Sequence, residues 1–251
     1  MLNTSNEKTN VLFVTSFNKE LYEASGKNLI KSYKKTNQIQ YSSLICGIDY
    51  DVGYQTEESI IWWPLRHNSI LTNFLNTYKD KIPEYLGGTA KPCNCKEPWA
   101  KNEKHHIKGC HFTWWNRNCF RWLNKLALID DVVTYYDSKY IIWIDSDCIF
   151  KKQMSEHFLD HIFKGSDLVY FKGPARLVDE TGVFGIRLNE RGRSFIMKLK
   201  QLYMSGDIFK LKRWDDSYAI MKLRTNMNIG TKDLVPKNCK TSKVIEHSLF
   251  K

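Results

Sequence analysis

No run of about 20 consecutive apolar residues occurs in this chain, which excludes a membrane-spanning helix. The opening residues, Met1-Leu2-Asn3-Thr4-Ser5-Asn6-Glu7-Lys8, also lack the apolar stretch of a secretory signal. A soluble protein of the cytoplasm is therefore expected. Internal repeats and low-complexity linkers are missing as well, and 251 residues, 42% hydrophobic and 14% aromatic, suffice to close one sizeable core. The expected organisation is one globular domain over residues 1–251. Acids are in the minority: 27 Asp and Glu stand against 38 Lys and Arg, a formal charge of +11. That surplus favours anionic partners such as nucleic acid, acidic lipid or phosphorylated small molecules. The lysines are scattered, with short pairs such as Lys34-Lys35 and Lys151-Lys152, and there is neither a basic tail nor an RNA-binding aromatic signature. Nucleic acid is thus not favoured over a lysine-rich solvated surface.

Seven cysteines in a chain without a secretion signal argue against a disulfide framework and for thiols or metal ligation. Cys46, Cys119, Cys148 and Cys239 stand alone. Cys93, Cys95 and Cys110 cluster with His105, His106 and His111. Thiolate and imidazole are preferred zinc ligands, so a structural zinc can staple this segment. The spacing is not that of a standard finger or ribbon, and unligated thiols with solvated histidines are the alternative.

Residues 11 to 17, Val-Leu-Phe-Val-Thr-Ser-Phe, read as a strand buried on both faces. Leu21, Tyr22, Leu29, Ile30 and Tyr33 suit an amphipathic helix, and a second strand over about Gln40 to Ile48 ends in Asp49. Strand, helix, strand is the opening of an α/β sheet. The stretch from about residue 50 to 113 is less regular, carrying Pro64, Pro83, Pro92, Pro98 and Gly87-Gly88, with one helical segment near Asn68 to Lys79. Order returns at Trp114, where Trp115, Cys119, Trp122, Leu126 and Ile129 follow the spacing of one helix face. Arg117, Arg121 and Lys125 form a basic row beside that stripe. Tyr140 to Ile144 reads as a central strand. Beyond it come a helix near Ser155 to Phe163, a strand at Asp167 to Phe171 and a helix from Glu190 to Met204. Two last apolar elements span Tyr218 to Leu223 and Lys243 to Leu249.

Asp145-Ser146-Asp147 closes the central strand, at the end where open α/β sheets bind ligands. Two carboxylates at i and i+2 can offer hard oxygens to Mg²⁺ or Mn²⁺, and such an ion can bridge a diphosphate. About one D-x-D arises by chance in a chain of this composition. This one has two, the other being Asp49-Tyr50-Asp51. Strand context favours the pair at 145 and 147 as the metal site, with a capping or turn role as the alternative. Asp49 is better placed to hydrogen-bond a base or ribose.

The order Val11-Leu-Phe-Val-Thr-Ser-Phe-Asn18, then Phe120 to Ala127 with its Lys125, then Tyr140-Ile-Ile-Trp-Ile-Asp-Ser-Asp147, resembles GT-A glycosyltransferases of viral or AT-rich bacterial origin. The resemblance implies a single GT-A, Rossmann-like domain with a mixed central sheet flanked by helices, interrupted by a Cys/His-containing insertion at about 50–113. It implies transfer of a sugar from a nucleoside-diphosphate donor, a UDP-sugar foremost, to a hydroxyl on a glycan, protein or lipid. Carried over, it places Thr15, Ser16, Asn18, Asp49, Lys125, Asp145 and Ser146 on the donor side. It places Mn²⁺ or Mg²⁺ on Asp145 and Asp147, with His247 completing the shell. Caps, turn residues and a solvated lysine are the ordinary alternatives, and a lone histidine can be a bystander.

Downstream, Asp179-Glu180-Thr181-Gly182-Val183-Phe184-Gly185 reads as a loop that faces the sugar or acceptor through Glu180, Thr181 and Gly182, or as a surface turn. Trp214-Asp215-Asp216-Ser217 precedes a short helix. Asp216 is the candidate base for the acceptor hydroxyl, against a helix-capping role for Asp215 or Asp216. Two rivals stand beside the transferase: a metal-dependent nucleotidyltransferase or nuclease, and a non-enzymatic zinc module that binds nucleic acid.

Overall fold

The computed structural model describes residues 10–36, 42–50, 59–82, 119–171, 179–234 and 245–246. In chain order the elements open with β1 (Val11–Phe17) and α1 (Lys19–Leu21), which passes through a π-helical turn (Tyr22–Gly26) into α2 (Lys27–Lys35). β2 (Ser42–Ile48), β3 (Ile60–Pro64) and α3 (Ser69–Tyr78) follow. Next come α4 (Cys119–Tyr135), β4 (Tyr140–Ile144), β5 (Ile149–Phe150) and α5 (Glu156–Ile162). The chain continues through β6 (Leu168–Phe171), β7 (Glu180–Arg187), α6 (Glu190–Met204), α7 (Asp216–Met227), β8 (Thr231–Asp233) and β9 (Ile245–Glu246). Among the described residues no helix is long and apolar enough to cross a membrane.

Seven strands form one sheet in the order β3-β2-β1-β4-β7-β6-β8. β3, β2, β1 and β4 run parallel, and β7 is antiparallel to both its neighbours. This is the α/β class with a mixed central sheet that the sequence predicts. β1 lies inside the sheet, between β2 and β4, because both its faces are apolar. Leu12 and Val14 point into a core built with α3, α4, α6 and α7, whereas Val11, Phe13 and Phe17 point into a second core under α2 and α5. Each wholly buried Phe or Leu in these layers contributes about 1.5–3 kcal/mol. Side chains also set where helices begin. Asn18, Asn68, Ser155, Asn189 and Asp215 each accept a hydrogen bond from a backbone N–H in the first turn, worth about 1 kcal/mol apiece.

Four strands, β3, β5, β7 and β8, lie where the sequence reading has none, and two of them bear on the argument. β3 lies inside the stretch taken as irregular; it is an outer strand of the sheet, and its Pro64 sits at the last position, where a missing N–H costs least. β7 is the larger correction. Residues 180–185 do not form a loop but a buried strand between β4 and β6. Gly185 answers a packing demand: a Cβ there would stand 2.6 Å from Val169 Cγ2 and 2.7 Å from Phe163 Cζ.

The join between β7 and α6 is tighter still. A Cβ on Gly192 would fall 1.8 Å from the carbonyl oxygen of Arg187, a backbone atom that cannot swing aside. Gly192→Ala is therefore expected to cost about 3 kcal/mol, the upper end for overpacking. That corresponds to a melting temperature roughly 6–12 °C lower in a chain of this size. Thermal denaturation followed by circular dichroism checks it, and an unchanged midpoint would contradict the packing described.

Candidate functional site

β2 and β4 lie on opposite sides of β1, so the chain's crossovers diverge there and open a crevice at the carboxyl ends of the parallel strands. Five segments reach that edge. Ser16 and Asn18 follow from β1, Asp49 from β2, and Asp145-Ser146-Asp147 from β4. Antiparallel β7 contributes its first residues, and α7 contributes its amino end. The π-helical turn belongs to the same edge: Ser25 Oγ donates to Ser146 Oγ at 3.1 Å, tying the loop after β1 to the turn after β4. Single π turns within helices frequently occur at functional sites.

Lys125 is the centre of this edge. Its side chain is buried, and Nζ donates to the Thr181 carbonyl at 2.9 Å, to Thr181 Oγ1 at 3.2 Å and to Asp216 Oδ2. An ammonium has three protons, and these three acceptors use them all. Nζ also stands 3.8 Å from Asp145 Oδ1 and 4.9 Å from the centre of the Trp143 ring. Thr181 Oγ1 gives its own proton to Asp216 Oδ2 at 2.7 Å, so the 3.0 Å contact with Ser217 Oγ has the serine as donor. Trp143 Nε1 donates to Asp145 Oδ1 at 2.5 Å. One buried cation thus sits between two carboxylates, one from the D-x-D turn and one from the start of α7.

The turn after β4 is held from β7. Asp145 N donates to Gly182 O at 2.7 Å, Cys148 N donates to Asp145 O at 3.0 Å, and the Cys148 thiol points at Gly182 O from 3.7 Å. Burial, then the nearby Asp145 and Asp147 carboxylates, push the Cys148 thiol well up, so it stays protonated as a donor. Glu180 Oε1 accepts from Gly182 N at 3.0 Å. Behind it, the buried Asp179 takes a two-point ion pair from Arg224, whose guanidinium lies 4.6 Å from the Tyr170 ring centre. At the head of α7, Asp215 is the cap: Oδ1 accepts from Tyr218 N at 3.0 Å and Oδ2 from Arg213 Nε at 2.7 Å. Burial raises the Asp215 carboxyl against the pull of Arg213.

Four of the residues singled out from sequence, Lys125, Asp145, Thr181 and Asp216, therefore meet, and Ser146 and Gly182 join them through the turn. The expected basic row on α4 does not form as such, because Arg121 is exposed while Lys125 turns inward to acceptors that repay its burial; Arg117 lies outside the described residues. Asn18 caps α1, with Oδ1 accepting from Leu21 N at 2.8 Å. Thr15 is wholly buried and its Oγ1 has no hydrogen-bond partner. Asp49 is exposed just past β2. His247 and the cluster of Cys93, Cys95, His105, His106, Cys110 and His111 lie outside the described residues. Trp143, Ser25 and Ser217 were missed. Trp143 was the accessible one, since it stands two positions before Asp145 and so shares its strand face.

Among the described residues no group of three or more His, Cys, Asp and Glu is placed to enclose a metal ion. The set at the β4 turn is two carboxylates, Asp145 half-buried and Asp147 exposed. That suits Mg²⁺ or Mn²⁺, which are commonly held by one or two carboxylates with the remaining positions filled by water and substrate phosphates. It does not suit a closed structural zinc.

No family model matches the chain, and no curated protein sequence matches it. Among solved structures, the apo form of mouse xyloside xylosyltransferase 1 is similar over 90% of this chain and 85% of that chain, with 10% sequence identity and a TM-score of 0.45.

Proposed function

We propose that the chain is a glycosyltransferase that moves a sugar from a nucleoside-diphosphate donor to an acceptor hydroxyl, with Asp145 and Asp147 holding Mn²⁺ or Mg²⁺. The observation that carries the reading is the meeting of Asp145, Lys125, Thr181 and Asp216 beside the carboxyl end of β4 and the start of β7. In this reading the donor lies along the carboxyl ends of the parallel strands, with Ser16, Asn18 and Asp49 on its nucleoside side. A divalent cation bound there supplies Lewis-acid charge to the departing diphosphate. His247 is the candidate for a further ligand, and the segment holding Cys93, Cys95 and Cys110 is the candidate for a separate structural zinc.

The protein's own groups divide the remaining work. Asp216 is held through Oδ2 by Lys125 and Thr181, which fixes the direction of its second oxygen, the proposed acceptor of the hydroxyl proton. The acceptor oxygen then forms the new bond to the anomeric carbon while the bond from that carbon to the diphosphate breaks. Lys125 has spent its protons inside the protein, so its role is charge: it keeps two carboxylates close together in a low-dielectric setting. Thr181 links strand β7 to both. The rival two-metal nuclease or nucleotidyltransferase needs further carboxylates to take a second ion beside the pair, whereas Asp216 is engaged with Lys125 and Thr181.

A panel of nucleotide sugars incubated with the protein and Mn²⁺ tests the reading. At least one donor is expected to be hydrolysed or transferred, with turnover abolished by a chelator and restored by adding Mn²⁺ or Mg²⁺. Silence with every donor, or turnover indifferent to the chelator, would remove the proposal.

A further inference from the structure

The geometry points to Trp143 as the positioning residue that sets the metal affinity of Asp145, an inference that rests on the proposed reading of the Asp145–Asp147 turn as a cation site. Trp143 lies on β4 among Ile141, Ile142 and Ile144, and its register partners, Val14 on β1 and Phe184 on β7, are apolar. Packing alone asks for another aliphatic or aromatic side chain there. Tryptophan brings in addition an N–H that must find an acceptor once buried, and the residue is only 4% exposed. That N–H goes to Asp145 Oδ1, at 2.5 Å.

The consequence lies in how the carboxylate is held. Oδ1 faces both the indole N–H and, at 3.8 Å, the Lys125 ammonium. Lys125 is itself seated against the face of the same indole, 4.9 Å from the ring centre. Trp143 thereby touches the carboxylate and the buried cation at once and sets the plane of the Asp145 carboxyl group. An indole can only donate, so one of the two equivalent carboxylate oxygens is kept against its N–H and the plane of the group is held. The carboxylate would thus meet a divalent cation with its orientation already set. Groups that orient a ligand in this way typically govern metal affinity by 10–100-fold.

Trp143→Phe keeps an aromatic face for Lys125 and for the apolar neighbours but deletes the N–H. Mn²⁺ binding in the presence of UDP, read from the loss of the aqueous Mn²⁺ electron-paramagnetic signal, is expected to weaken by about 10-fold or more in the variant. The melting temperature is expected to fall by several degrees, because trimming a buried indole leaves a cavity, with the variant still folded. Equal Mn²⁺ affinity in the folded variant overturns the assignment of Trp143. Absence of Mn²⁺ binding by the unsubstituted protein with UDP overturns instead the reading of the turn as a cation site. A second measurement needs no change at Trp143. In the unsubstituted protein, the indole proton resonance that Asp145→Asn displaces is expected to shift when Mg²⁺ and UDP are added together, and a resonance that does not move counts against the assignment.

Discussion

Asp147→Ala is expected to lower Mn²⁺-dependent donor turnover by about 10³-fold while moving the melting temperature by no more than about 2 °C. The first number follows from the chemistry assigned to the ion. Charge stabilisation of a leaving diphosphate is worth several kcal/mol, and about 4 kcal/mol corresponds to 10³ in rate. The second follows from exposure. Asp147 lies at the surface of the turn after β4, and exposed substitutions away from packed features usually stay within about 0.5 kcal/mol. This separation of rate from stability gives the test its force. Donor hydrolysis and thermal denaturation measured on the same preparation check it, and turnover equal to that of the parent would sink Asp147 as a metal ligand.

Lys125→Met carries the opposite signature, a large loss of stability together with loss of turnover. Lys125 is 5% exposed and Asp216 is 6% exposed. Removing the cation leaves the Asp216 carboxylate buried with no counter-charge from that side, and takes from Asp145 the ammonium 3.8 Å away. Breaking a buried pair from one end typically costs about 3–5 kcal/mol, here roughly 6–20 °C in melting temperature. The double variant Lys125→Met with Asp216→Asn removes the uncompensated charge as well. It is expected to regain much of the stability and none of the turnover, because the proposed base has gone. Calorimetry on the single and double variants, with donor turnover beside it, distinguishes the two roles. A double variant as unstable as the single one would show that packing around the Lys125 stem, rather than charge balance, governs the site.

How much was legible beforehand depended on how local each signal was. β1, β4 and α6 stand where the sequence placed them. α4 carries the expected face at Cys119, Leu126 and Ile129, and Trp114 and Trp115 lie outside the described residues. A doubly buried strand is a short β-branched and aromatic run, and a helix face repeats every 3.6 residues; both are patterns within one window. The D-x-D pair at 145 and 147 was likewise legible, through the strand before it rather than through its spacing. β7 was not. Glu-Thr-Gly-Val-Phe-Gly reads as turn material because its glycines and polar residues are common in turns. They are there because Val169 and Phe163 press on Gly185, and because Thr181 and Glu180 have partners at the site.

The sequence by itself determined the α/β class, the central strands and the pairing of two carboxylates at the end of β4, since each is written in neighbouring residues. Tertiary structure alone decided that Lys125 turns inward, that Thr181 bridges it to Asp216, and that Ser25 reaches Ser146. Those contacts join residues 56, 91 and 121 positions apart. No local pattern encodes such pairings. They exist because parallel strands bring their carboxyl ends to one edge while antiparallel β7 brings its beginning there, and a buried ammonium must then take the acceptors that arrive with it.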